Sequence, residues 1–314
     1  MNIIYDSNFQ LNTNTAVTIG KFDGVHLGHR ELLDRVIAKK SQGLSPTVFT
    51  FDKSPAEVFT GMPVPSLTTM EEKIRIFEFL GVENLIVYPL TIETASIDPK
   101  DYITKILCKQ MQMKYIVAGD DLSFGHMGKG DSNLIKNMSL ECGYDTEIIE
   151  KIIIDGNEVS SSIIRDIVAK GDMEKAAKLI GVPYAVSGVV AHGRKLGRKM
   201  GFPTVNIEVT KEKLMPPFGV YFTEVSIEGK HYNGISNIGR KPTVTDSDTV
   251  FAETNILNFD EDVYGKRITV KLLKFHRNEI KFSSVDELMH QIDSDIEKGK
   301  EYFNEKQIIS SSTT

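Results

Sequence analysis

In the first half of the chain, short runs of β-branched and aromatic residues alternate with helical patterns: A-V-T-I-G (16–20), P-T-V-F-T-F (46–51), N-L-I-V-Y-P-L (84–90) and K-Y-I-V-A-G-D (114–120). Two neighbouring parallel strands need a crossover of about a dozen residues or more, usually a helix, so this alternation predicts βαβ units and a mostly parallel sheet. The intervening segments carry matching signals. In E-E-K-I-R-I-F-E-F-L-G, Ile74, Phe77 and Leu80 share one helical face and Gly81 supplies the stop; Asp98-Pro99 reads as a cap followed by a first-turn proline.

The texture changes near Tyr184. After two short helical patterns ending at K-L-I-G-V-P (178–183), the strong runs are strand-like: A-V-S-G-V-V, G-V-Y-F-T-E-V-S-I and K-R-I-T-V-K-L-L-K-F, separated by Gly, Pro and Asn turns. They predict a compact antiparallel barrel, closed by a last helix over V-D-E-L-M-H-Q-I-D-S-D-I-E-K-G-K, with S-S-S-T-T as a frayed tail. At 314 residues the chain has room for two cores. The expected fold class is therefore α/β plus β.

Charge and cysteine content narrow the function. A formal net charge of −6 argues against a general binder of nucleic acid or membrane surfaces, so any phosphate site must be local. The N-terminal M-N-I-I-Y-D-S-N-F-Q lacks the pattern of a secretion signal, and no run of 18 apolar residues occurs, which predicts a cytoplasmic protein. Cys108 and Cys142 have no neighbouring Cys or His at metal-ligand spacing and read as buried or idle thiols.

Two stretches carry chemistry. In T-I-G-K-F-D-G-V-H-L-G-H-R (18–30), a strand ends at Gly20, Phe22, Asp23 and Gly24 make a turn, and His26 opens a helix, with His29 one turn further on. Unpaired backbone N–H groups at a helix start attract anions, and two imidazoles at this spacing can address one phosphate group. A nucleotidyl transfer needs such oriented donors rather than a covalent nucleophile. Zinc is the competing reading, but no third ligand follows at metalloprotease spacing. In G-R-K-L-G-R-K-M-G-F-P-T-V-N (193–206), Gly193, Gly197 and Gly201 recur every fourth residue with Lys195 and Arg198 among them. Glycine lets backbone approach phosphate and the cations offset its charge, although a basic glycine loop can equally be a solvated turn.

G-K-F-D-G-V-H-L-G-H resembles the H-x-G-H signature of nucleotidylyltransferases, in the form found in prokaryotic bifunctional riboflavin kinase/FAD synthetases. V-A-G-D-D-L-S-F-G-H-M-G-K-G-D (117–131) and V-S-S-S-I-I-R-D (159–166) resemble later motifs of the same family, and G-F-P-T-V-N, S-N-I-G-R-K-P-T (236–243), F-A-E-T-N-I-L-N-F (251–259) and H-R-N-E-I-K-F-S-S (276–284) resemble its kinase motifs, in order from about Gly20 to Ile296.

The resemblance implies a Rossmann-like nucleotidylyltransferase domain over 1–182 that adenylylates FMN to FAD, and a β-barrel riboflavin kinase domain over 183–314. By it, His26 and His29 contact ATP phosphates while Ser161, Ser162 and Arg165 complete that site, and Asp121 and Phe124 belong to the flavin side. It also implies that Thr204 and Asn206 hold a magnesium–nucleotide, that Glu253 is the base for the riboflavin hydroxyl, and that Arg277 faces flavin or nucleotide.

ATP is then the co-substrate, Mg2+ the cofactor, and riboflavin, FMN and FAD the substrates or products. The chain departs from the family mainly on the flavin side of the first domain, where F-D-K-S-P (51–55) replaces F-x-P-H-P and Asp121-Leu122-Ser123-Phe124-Gly125 replaces D-F-R-F-G; elsewhere Ser162 stands for threonine and Asn255 for histidine. From sequence, a riboflavin kinase with a degenerate first module and a flavin-binding regulatory protein stay open as alternatives.

Overall fold

The computed structural model describes residues 1–191, 202–240 and 249–311. By compactness the chain divides into two units, Met1–Ile163 and Ile164–Thr314.

The first unit is built on a six-stranded sheet of β1 (Asn2–Ile4), β2 (Thr15–Ile19), β3 (Ser45–Phe51), β4 (Asn84–Tyr88), β5 (Met113–Gly119) and β6 (Asp145–Ile149). Every neighbouring pair is parallel, in the order β1-β4-β3-β2-β5-β6. All five residues of β2 are buried, as expected where helices cover both faces of a parallel sheet. Val17 and Ile19 join one apolar cluster with Phe49, Ile86 and Ile116, whereas Ala16 joins a second with Leu32, Val36 and Val117. The four strands read from sequence are all present. β1, only three residues long and largely exposed, gives no such signal.

Helix α1 (Leu27–Ala38) follows β2, and α2 (Met70–Leu80) ends at Gly81 in the left-handed conformation, as its sequence predicts. Asp98 caps the turn begun by Pro99, which runs into a π-helical segment at Tyr102–Gln110. α3 (Ser132–Cys142) then precedes β6. Cys108 and Cys142 are free thiols that meet in space; burial first, and then Cys142, push the Cys108 thiol up to about 12.

The order reverses at β2. From β2 the chain steps outward through β3 to β4, then crosses back to place β5 on the other flank. Ligands of open α/β sheets bind outside the carboxyl ends of the strands at such a switch point. The carboxyl end of β2 leads into Gly20–His26, and that of β5 into Asp120 and Asp121.

α4 (Ser161–Ala169) spans the division between the units, and α5 (Met173–Ile180) belongs to the second. There, β7 (Tyr184–Ala191), β8 (Thr204–Val209), β9 (Gly219–Ile227), β10 (Lys230–Arg240), β11 (Val250–Ile256) and β12 (Arg267–Asn278) close an antiparallel barrel in the order β7-β8-β11-β10-β9-β12. Side chains alternate between its two faces. Tyr221, Thr223 and Val225 are fully buried in its interior, where Thr223, Ser236 and Thr254 satisfy one another in a hydroxyl chain with spacings of 2.9 and 2.7 Å. On the outer face Val220, Phe222 and Ile235 pack against Tyr302 and Phe303 of the terminal helix α6 (Val285–Ser311). That helix runs further than its sequence pattern suggests, into the expected tail, whose residues 312–314 lie outside the described ones.

Candidate active sites

The first site grows from the end of β2. Gly20 N–H still reaches the Phe49 carbonyl at 3.1 Å, and then the chain turns with Phe22, Gly24 and Val25 all at positive φ, 50°, 88° and 40°. This conformation is rare for a β-branched residue such as Val25, and it concentrates backbone strain where the strand feeds the helix. Gly24 has a second constraint, since a Cβ there would lie 3.1 Å from Leu67. The Phe22 ring is fully buried, edge-on to Phe77 at 5.5 Å, so only its backbone is left for a nucleotide. Asp23, also buried, accepts the Thr68 N–H on Oδ1 at 3.3 Å.

His26 is the N-cap of α1. Its Nδ1 accepts the His29 backbone N–H at 3.4 Å, and the two imidazoles stack with centroids 3.7 Å apart. A ring nitrogen that accepts carries no hydrogen, so the neutral His26 holds its proton on Nε2 and presents it as a donor. The neutral form is the resting one. Burial pulls His26 down to about 4, against the opposing pull of Asp23 and Asp121. Burial also holds His29 well below the usual imidazole range, helped by His26 and Lys73. His29 Nδ1 is buried without a hydrogen-bond partner, a donor or acceptor waiting for one. The charge of Asp121 is felt at His26, in keeping with the neighbouring places of β2 and β5 in the sheet.

Ser161, the first residue of α4, donates to the Asp23 carbonyl at 2.8 Å and so ties that helix to the β2 turn. Ser162 is exposed, and Arg165 lies one helical turn beyond Ser161 on the same helix. Asp121 is exposed 3.6 Å from Lys151, which also pairs with Glu158 at 3.1 Å. Phe124 is buried against Tyr102, at 5.3 Å between ring centroids. In the variant segment F-D-K-S-P, Asp52 accepts the Leu90 N–H at 2.7 Å and Ser54 caps a short helix, Pro55–Thr60.

Lys73 is the residue of this site that its sequence does not disclose. It sits in the charged pattern of α2, yet it is buried and its Nζ donates to the Lys21 carbonyl at 2.7 Å. A lysine beside apolar helix positions normally reads as solvated.

The second site lies on the outer face of the barrel. Alternation along β8 turns Val205 and Ile207 inward and Thr204 and Asn206 outward. Cross-strand pairing then sets Asn206 opposite Glu253, and Glu253 opposite Asn237. Thr204 Oγ1 donates to Glu253 Oε1 at 2.8 Å. Asn255 donates to the Pro203 carbonyl at 2.9 Å, and Asn237 to Glu279 at 3.4 Å. These are hard oxygen donors of the kind magnesium shares with phosphate. The described residues contain no cluster of three or more His, Cys, Asp or Glu able to form a cage from protein alone. Gly193, Lys195, Gly197, Arg198 and Gly201, and Lys241 to Thr243 of the second kinase motif, lie outside the described residues. Arg277, near the end of β12, is bound to Asp295 of α6.

Comparison with known proteins follows the same division. A family model described as FAD synthetase matches residues 8–163, and one described as riboflavin kinase matches residues 180–303. The bifunctional riboflavin kinase/FMN adenylyltransferase of Bacillus subtilis is 35% identical over 296 residues, covering 92% of this chain and 93% of its own. The enzyme of that name from Escherichia coli K12 is 35% identical over 291 residues, 92% of each chain. The crystal structure of the macrolide-efflux protein from Streptococcus pneumoniae superposes with a TM-score of 0.81 at 28% identity, over 96% of this chain and 99% of that one. No helix among the described residues is long and apolar enough to cross a membrane. With both family models matched in order and relatives aligned over nearly their whole length, the chain belongs to the bifunctional riboflavin kinase/FMN adenylyltransferase family.

Proposed function

We propose that this bifunctional enzyme of flavin cofactor synthesis performs its two transfers at the two sites described, each with its own residues. In the barrel, the riboflavin hydroxyl attacks the γ-phosphorus of ATP, Glu253 takes the hydroxyl proton, and FMN and ADP result. In the parallel-sheet unit, a phosphate oxygen of FMN attacks the α-phosphorus of a second ATP, giving FAD and pyrophosphate. The observation that carries this reading is the Thr204–Glu253 hydrogen bond, 2.8 Å long, which puts a base candidate beside a hard-oxygen ligand candidate.

For adenylyl transfer, neutral imidazoles suit the task. His26 Nε2–H and His29 Nδ1 meet phosphate oxygens as hydrogen-bonding groups already oriented by the helix start and by their mutual stacking, so little reorganisation accompanies charge build-up. The β2 turn at Gly20, Phe22, Asp23 and Gly24 supplies backbone contacts, and Ser161, Ser162 and Arg165 extend the same phosphate clamp. Asp121 and Phe124 serve the flavin side, with the changed F-D-K-S-P and Asp121–Gly125 segments altering that pocket.

For the kinase, Thr204 and Asn206 would hold magnesium together with nucleotide oxygens, and the basic glycine stretch from Gly193 to Gly201 would approach the phosphates. Bound there, magnesium neutralises charge on the phosphoryl oxygens. The side chains do the rest: Glu253, held by Thr204, accepts a proton at its carboxylate, and Arg277 orients the flavin. We assign the functional domains as 1–182 and 183–314 and the enzyme to the cytoplasm. The test is to supply riboflavin, ATP and Mg2+ and separate the flavins by chromatography. FMN and FAD are expected, whereas FMN alone would leave the first unit without its reaction.

A further inference from the structure

The carboxylate of Asp295, on helix α6, is only 3% exposed, yet it is surrounded by donors. Arg277 Nε reaches its two oxygens at 3.0 and 3.2 Å, and Nη2 reaches Oδ2 at 2.5 Å. Gln291 Nε2, one turn earlier on α6, donates to Oδ1 at 2.9 Å. His276 Nε2 stands 3.3 Å from the same oxygen, with its ring stacked on Phe222 at 4.7 Å. A buried ion pair contributes little net stability over an apolar packing of the same volume, because desolvation offsets the attraction. The helix already has such packing, through Tyr302 and Phe303 against Val220, Phe222 and Ile235. Docking α6 therefore does not explain the charge at Asp295.

What the carboxylate does is fix a plane. A two-pronged contact from Nε and Nη2 locks the guanidinium against rotation, which a single bond does not do. Nη1 gives one hydrogen to the Asn278 carbonyl at 2.9 Å. One N–H on each terminal nitrogen is left over, and both lie in the locked plane. The backbone is held as well, since the Arg277 carbonyl comes so close to Gly219 that a Cβ there would be 2.2 Å away.

We propose that Asp295 is a positioning residue for riboflavin phosphorylation, which orients Arg277 so that its remaining N–H groups meet a carbonyl oxygen of the flavin ring. The inference rests on the assignment of Arg277 to the flavin. A planar donor edge suits a planar carbonyl edge. Riboflavin rather than ATP is therefore the substrate whose binding depends on Asp295.

The test uses the full-length enzyme with Asp295→Asn, Asp295→Glu and Arg277→Gln. It reads KM for riboflavin, KM for ATP, FAD formation from supplied FMN, and thermal unfolding. Asp295→Asn should raise the riboflavin KM about tenfold, the scale of one lost charge-assisted hydrogen bond. The ATP KM and FAD formation should stay at wild-type values, and Asp295→Glu should recover part of the loss. A folded Asp295→Asn enzyme with wild-type riboflavin KM overturns the proposal, as does a fall in kcat alone, which a purely structural role would give. If Arg277→Gln also leaves riboflavin KM unchanged, the assignment of Arg277 itself fails; if Arg277→Gln raises it and Asp295→Asn does not, only the positioning role fails. Should Asp295→Asn not fold, Gln291→Ala carries the same test, with a smaller rise in riboflavin KM expected and an unchanged value overturning the proposal.

Discussion

The Thr204 hydroxyl donates to the Glu253 carboxylate at 2.8 Å, across two strands whose outward-facing residues also align Asn206 with Glu253. The contact makes a distinction between the two residues measurable. Glu253→Gln keeps size and hydrogen bonding but loses the proton acceptor, so FMN formation in single turnover should fall by roughly 10²-fold with near-normal binding of riboflavin and nucleotide. Thr204→Ala should instead weaken nucleotide binding and make activity more dependent on added Mg2+. Wild-type single-turnover rates for Glu253→Gln would move the base to another carboxylate.

The depressed His26 has a consequence for acid stability. Its folded-state value of about 4 lies below the ordinary 6.5, so the unfolded chain binds the proton more readily. Stability then rises with pH between these values and is fully present above the upper one; acid removes up to roughly 3 kcal/mol on this account as pH falls toward 4. His26→Asn retains a good N-cap without the titration. Urea unfolding at pH 7 and pH 5 should show a smaller acid loss in the variant than in the wild type; equal losses would assign the acid sensitivity elsewhere.

Much of this was legible in the residues. A strand, a turn and a histidine at a helix start predict the β2–α1 junction closely, because cap chemistry and apolar period are local signals. Of the barrel strands, β7, β9 and β12 announce themselves as β-branched runs, whereas β8, β10 and β11, with more polar residues, do not. Lys73 and Asp295 do not, because each is buried by contacts from distant segments: Lys73 by the carbonyl of Lys21, Asp295 by Arg277 from β12. A charged residue in an amphipathic helix looks solvated until its tertiary partners are known. Phe22 and Phe124 illustrate the reverse, motif positions whose rings turn out to fill the core.

Helix α5 bears on where the kinase can be cut free. Met173, Ala176, Leu179 and Ile180 are buried, and the helix packs against β7 and β12 of the barrel. A buried aliphatic side chain contributes roughly 2 kcal/mol, so a fragment starting at residue 164 should be more stable than one starting at 183, by thermal unfolding. Both should make FMN and neither FAD. Equal melting temperatures would show that α5 adds nothing to the barrel.

Gly219 sits at φ 151°, with the Arg277 carbonyl where its Cβ would be. The obstacle is backbone and cannot swing aside. Gly219→Ala should lower barrel stability by about 2 kcal/mol or more and raise the riboflavin KM, while FAD formation from FMN persists. A variant with wild-type stability and riboflavin KM would show that the end of β12 tolerates displacement.

If two separate sets of residues perform the two transfers, each transfer can be removed without the other. Wild-type enzyme, His26→Ala and Glu253→Gln are each given riboflavin or FMN with ATP and Mg2+, and the products are separated by chromatography. The wild type should carry riboflavin through FMN to FAD. His26→Ala should stop at FMN, with adenylylation reduced by about 10²-fold, and Glu253→Gln should make FAD only from supplied FMN. Loss of both reactions in either folded variant, or failure of the wild type to pass FMN, would show that the chain does not carry two transfers at separate sites.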